Sequence, residues 1–231
     1  MNLDKVNVAF IVDKSGSMTP FEESNYSGLN IFIDSLKTSH LNFSYFKYES
    51  EETVECANTV DIGTVKLDVF ESVKESPNRC TKIHEHVKNS VELLERRYKN
   101  MGEVCPSLTI FVILSDGLQD VGNQKISSIE SFSNFSNNYN SIVIYFGLEE
   151  ETNKHAIDDF GASLWCYSNR MNVDNCYRVL SSTVDSLTVS ENEFIKNSKV
   201  GFTEQNNSYA ILNNFNPKDF EFEDNFVSNE E

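Results

Sequence analysis

The 231-residue sequence predicts an α/β fold, a doubly wound, mainly parallel Rossmann-like sheet with an antiparallel edge strand and an acidic C-terminal tail. Two observations carry this expectation. Residues 6–12 and 108–114 are short, almost wholly apolar runs rich in β-branched side chains, as in strands covered on both faces, and each gives way to polar turn residues that include an aspartate, Asp13 and Asp116. Around them, stretches whose apolar residues recur at helical intervals alternate with further short strands, which is the pattern of successive βα units.

The first run, Val-Asn-Val-Ala-Phe-Ile-Val, is apolar enough to be a central strand. Phe21, Leu29, Phe32, Ile33 and Leu36 then mark an amphipathic helix over about residues 21–36. Residues 41–48 and 53–57 read as two strands joined by Glu49-Ser50-Glu51-Glu52, a hairpin near a sheet edge. The apolar stripe Ile83, Val87, Val91, Leu94 and Tyr98 defines the clearest helix, about residues 82–99, with Thr81 at its N-cap. After the strand 108–114 come a helix at 126–137, a strand at 141–146, a short helix at 154–159, a strand at 163–166 and a helix at 173–187. Trp165, in the last strand, is expected in the core. The domain is assigned to residues 1–189. Residues 190–231 are rich in Asn, Ser, Glu and Phe, and from Glu204 onward hold seven acidic residues against Lys218 alone, so an extended or disordered tail is expected.

Composition narrows the function. A formal charge of −17 opposes binding to nucleic acid or to anionic membrane surfaces and concentrates cations instead. No stretch approaches the roughly 20 apolar residues of a membrane span, and residues 8–12 are too short for the apolar core of a signal peptide. A cytoplasmic location is expected. The five cysteines, Cys56, Cys80, Cys105, Cys166 and Cys176, are odd in number and lack C-x-x-C spacing, which suits reduced thiols rather than a disulfide framework or a zinc site.

In a doubly wound sheet, ligands collect where strands end and helices begin. Asp13-Lys14-Ser15-Gly16-Ser17 leaves the first strand with a carboxylate and two hydroxyls at alternate positions, and Gly16 permits a tight turn. Thr81 caps the next clear helix and Asp116 leaves the second apolar strand. Together they offer oxygen and neither nitrogen nor sulfur, a set that selects a hard cation, Mg²⁺ or Mn²⁺, at about 2.1 Å. With only two carboxylates and neutral hydroxyls, such an ion keeps positive charge with which to attract an acidic side chain of a partner.

At these residues the sequence resembles the von Willebrand factor A (VWA) family, whose metal-ion-dependent adhesion site runs D-x-S-x-S, then threonine, then aspartate. Asp13, Ser15, Ser17, Thr81 and Asp116 match in that order, and Val-Asp-Lys-Ser-Gly-Ser-Met with Ile-Leu-Ser-Asp-Gly is similar to the family's usual wording. The resemblance covers about residues 6–187. It implies that the hydroxyls coordinate the metal directly and the aspartates largely through water. The lack of a signal peptide is similar to the family's intracellular prokaryotic or phage branch, whose members often act as adaptors in multiprotein systems, including tellurium-resistance operons. The sequence departs from the family in having Pro77-Asn78-Arg79-Cys80 before Thr81, where glycine is usual.

Plainer readings stand beside these. Asp and Ser crowd loops because they cap helices, Thr81 could serve only as an N-cap, and Thr64 is another threonine of the same stretch. His84 and His86, two apart on a helix, lack an i, i+4 partner for zinc and are expected at the surface or partly buried. Three functions compete. A non-enzymatic protein-binding module uses the cation to bridge to a partner's Asp or Glu. A Mg²⁺-dependent phosphoryl-transfer or hydrolytic enzyme also places aspartates at strand ends, but here Ser15 stands where a second carboxylate would be needed, and a P-loop is missing. A structural subunit with a vestigial site is the third.

Overall fold

The computed structural model describes residues 6–14, 16–49, 52–65, 83–102, 105–116, 126–148, 160–162, 164–168 and 173–189. Among these residues six strands form one sheet: β1 (Val6–Val12), β2 (Asn42–Glu49), β3 (Glu52–Asp61), β4 (Leu108–Ser115), β5 (Ser141–Leu148) and β6 (Leu164–Ser168). Their order is β3-β2-β1-β4-β5-β6, with every pair parallel except β2 and β3. Four α-helices of the described residues flank it: α1 (Glu22–Leu36), α2 (Ile83–Met101), α3 (Ile126–Asn138) and α4 (Val173–Val189). The mainly parallel sheet and its antiparallel edge are therefore as the sequence predicts.

Every residue of β1 and of β4 is buried, which is why both runs are continuously apolar. Successive side chains of β1 serve opposite faces. Val6, Val8, Phe10 and Val12 join Leu29, Phe32 and Ile33 of α1 and Tyr177, Leu180 and Val184 of α4. Ala9 and Ile11 join Ile83, Val87, Val91 and Leu94 of α2 and Phe132 and Phe135 of α3. The predicted stripe of α2 is thus its sheet-facing side. Among the described residues no helix is long and apolar enough to cross a membrane.

The α1–α4 contact depends on a missing side chain. A Cβ added at Gly28 would overlap the ring of Tyr177, which is itself held against Phe10 and Phe146 at centroid distances of 6.4 and 5.0 Å. Since that ring is buried and cannot swing aside, Gly28→Ala is expected to cost about 1–3 kcal/mol by overpacking, despite alanine's better helix propensity. Urea denaturation of wild type and variant measures it; a neutral or stabilising change contradicts this packing.

The hairpin departs from expectation. β3 runs four residues past the predicted end at residue 57, because an irregularity allows pairing to continue: between Phe43↔Val60 and Phe46↔Glu55, β2 advances three residues and β3 five. Thr59 takes a left-handed φ of 56° there, and its N–H donates to Ser44 Oγ at 2.8 Å. A 3-10 turn, Ile62–Thr64, follows β3, and another, Gly16–Phe21, leads into α1, which begins within a residue of the expected position. The short helix expected at 154–159 and the tail 190–231 lie outside the described residues, as does the side chain of Trp165, although its strand is present.

Candidate metal centre

The chain leaves β1 through α1 to β2 on one side, and later returns through α2 to β4 on the other. The carboxyl ends of β1 and β4 are therefore the topological switch point of the sheet, where the two crossovers part and leave a crevice. Asp13 and Asp116 stand at these two ends.

Register explains their proximity. Val12 pairs with Leu114, so Asp13 comes level with Ser115. Asp13 N–H donates to the Leu114 carbonyl at 2.9 Å, and Ser115 Oγ donates to Asp13 Oδ2 at 3.0 Å. The next residue is Asp116. Both aspartates are buried, at 0% and 3% exposure, so two carboxylates lie withdrawn from water at the ends of adjacent strands. Ser17, partly buried, is in the 3-10 turn that begins at Gly16, close in sequence to the end of β1. Ser15 and Thr81 lie outside the described residues.

The alternative threonine is removed by the topology. Thr64 Oγ1 donates to the carbonyl of Asp61, which pairs with Asn42 at the start of β2, so Thr64 belongs to the sheet end opposite Asp13.

Both histidines are more buried than the surface or partly buried location expected of them: His84 is 6% exposed and His86 is fully buried. α2 buries a wider arc than its aliphatic stripe, and the two rings extend that arc in different directions. His84 pairs with Ser128 Oγ and stacks on Phe160 at 4.8 Å. The His86 ring lies 5.5 Å from that of Tyr48, with Nδ1 3.0 Å from Thr53 Oγ1 and no hydrogen-bond partner at Nε2 among the described residues. Burial lowers its pKa to about 3, outweighing the carbonyls of Val12 and Phe46, which favour the protonated ring.

The donor set fits a hard divalent cation. Among the described residues no group of three or more His, Cys, Asp and Glu could hold a metal, and the oxygen donors placed at this end of the sheet are the carboxylates of Asp13 and Asp116 and the hydroxyl of Ser17. A cavity of about 30 Å³ lies beside Asp13, bordered by Lys14, Met18, Asn25 and Tyr26, with room for a water or two. Cys56, Cys105 and Cys176 are thiols.

Ser115 is the residue that sequence reasoning passed over. It stands in Ser-Asp-Gly, where serine is commonplace, and only the parallel register of β1 against β4 brings its hydroxyl to Asp13.

No protein-family model and no curated sequence matches this chain. Solved structures do. The pilus adhesin SpaC from Lactobacillus rhamnosus GG, in an open conformation, superposes with a TM-score of 0.61 at 10% identity, over 80% of this chain and 30% of SpaC. Proximal thread matrix protein 1 from the mussel byssus, with a zinc-occupied MIDAS motif, gives 0.57 at 13% identity over 78% of this chain and 48% of its own. BatB, a conserved hypothetical protein from Bacteroides thetaiotaomicron, gives 0.52 at 11% identity over 80% of this chain and all of BatB. This chain thus spans less than half of the adhesin and of the byssal protein. At such identities the likeness concerns the fold, and the fold is VWA-like.

Proposed function

We propose that this chain is a metal-dependent protein-binding module, in which Asp13, Ser15, Ser17, Thr81 and Asp116 hold one Mg²⁺ or Mn²⁺ that accepts an Asp or Glu of a partner protein. The observation that carries the reading is the burial of Asp13 and Asp116 side by side at the switch point of the sheet. A divalent cation bound by these two carboxylates would offset the cost of withdrawing their charge from water. The ion supplies the chemistry, an electrophilic position for an incoming carboxylate. The chain supplies oxygen donors, excludes water from the aspartates and fixes their spacing through the β1–β4 register. The metal-occupied site of the byssal protein, which shares the fold, is consistent with this use of the strand ends. The sequence resemblance alone extends the proposal to a non-enzymatic adaptor of the intracellular prokaryotic or phage type, acting in the cytoplasm.

Affinity capture from the native cell extract tests this, with wild type and Asp116→Ala immobilised in Mg²⁺ or in EDTA. A partner retained by wild type in Mg²⁺ and lost in the other three conditions is the expected outcome. Partners that survive both EDTA and the substitution would instead indicate a structural subunit, and Mg²⁺-dependent hydrolysis of a phosphate ester would indicate an enzyme.

A further inference from the structure

We propose that Ser115 is a positioning residue for the cation site, holding the Asp13 carboxylate in one orientation relative to Asp116. This rests on the divalent-cation reading above.

Asp13 is tied to β4 twice, through its backbone N–H to the Leu114 carbonyl at 2.9 Å and through Oδ2 to Ser115 Oγ at 3.0 Å. Ser115 is 1% exposed, so its hydroxyl is spent inside the protein rather than on bulk water. A carboxylate held both at its backbone and at one oxygen has lost its rotation about the terminal torsion, and its two oxygens become distinct. The same residue is the covalent neighbour of Asp116. One side chain therefore couples the two aspartates across the β1–β4 boundary: its backbone carries one carboxylate and its hydroxyl orients the other. Groups that orient metal-binding carboxylates in this way contribute strongly to affinity, since an unfixed ligand must be ordered when the ion binds. Ser115 is not among the five ligand positions of D-x-S-x-S…T…D.

The test compares Ser115→Ala, Ser115→Thr and Ser115→Val by Mn²⁺ titration followed by electron paramagnetic resonance, with melting temperatures recorded in EDTA. Threonine and valine have nearly the same shape and differ in the hydroxyl, so this pair carries the test even where alanine impairs folding. Ser115→Val and Ser115→Ala are expected to bind Mn²⁺ about 10–100-fold more weakly than wild type, and Ser115→Thr within about threefold of it. Equal affinities for the threonine and valine variants overturn the proposal, as does a variant that melts lower in EDTA while binding Mn²⁺ like wild type, which would mark a purely structural hydrogen bond. A wild-type chain that binds no Mn²⁺ removes the cation reading itself and this inference with it, an outcome seen in the wild-type titration alone.

Discussion

Alanine at Asp13 is expected to abolish the stabilisation of the fold by Mg²⁺. At a free concentration about 100 times its dissociation constant, a ligand bound only by the native state stabilises it by about 2.7 kcal/mol. Loss of a buried carboxylate donor weakens the site by at least the roughly 100-fold seen at the upper end for outer partners, which leaves about 0.4 kcal/mol at the same Mg²⁺ concentration. The substitution also strands the Ser115 hydroxyl, which donates to Asp13 Oδ2, in a buried place, so stability in EDTA should fall by about 1–3 kcal/mol. Thermal or urea denaturation with and without Mg²⁺ separates the two effects. An undiminished response to Mg²⁺ in Asp13→Ala would mean that the ion binds elsewhere.

Mild acid is expected to destabilise the protein through His86. The folded pKa is lowered from 6.5 to about 3, because the fully buried ring cannot carry charge at low cost. Well above pH 6.5 the ring is neutral in both states and contributes nothing to pH dependence. Below it the unfolded chain takes up a proton that the native state refuses, so stability falls by about 1.4 kcal/mol per pH unit until the folded pKa is reached. Between pH 8.0 and 5.0 this amounts to about 2 kcal/mol. Carboxylates add their own dependence below this window, so the measurement is a difference: wild type should lose about 2 kcal/mol more than His86→Leu over that interval. Parallel stability curves would show that His86 protonates in place.

The positions of β1, β4 and α2 are legible in the sequence because each obeys one dominant constraint. The two strands are covered on both faces and read as unbroken apolar runs, while α2 presents Ile83, Val87, Val91, Leu94 and Tyr98 along one side. The extension of β3 is not legible, because Asn58 and Thr59 break the alternation of a strand, and a β-branched residue at φ 56° is what local propensity argues against. The buried histidines escape for a different reason: an imidazole on α2 is read as polar unless its neighbours are known, and those neighbours, Phe160 for His84 and Thr53 for His86, come from distant segments. Of the candidate site, Asp13 and Asp116 follow from the sequence because both leave apolar strands. Their common support in Ser115 does not, since it depends on the pairing of strands 102 positions apart.

Mn²⁺ titrated into the metal-free chain and into Asp116→Asn, with Mg²⁺ as competitor, reads the cation site without reference to any partner. One ion per wild-type chain, displaced by Mg²⁺, is expected, with binding at least about 100-fold weaker in Asp116→Asn. Saturable binding of equal strength in both proteins, or none in the folded wild type, would contradict a cation held between the ends of β1 and β4.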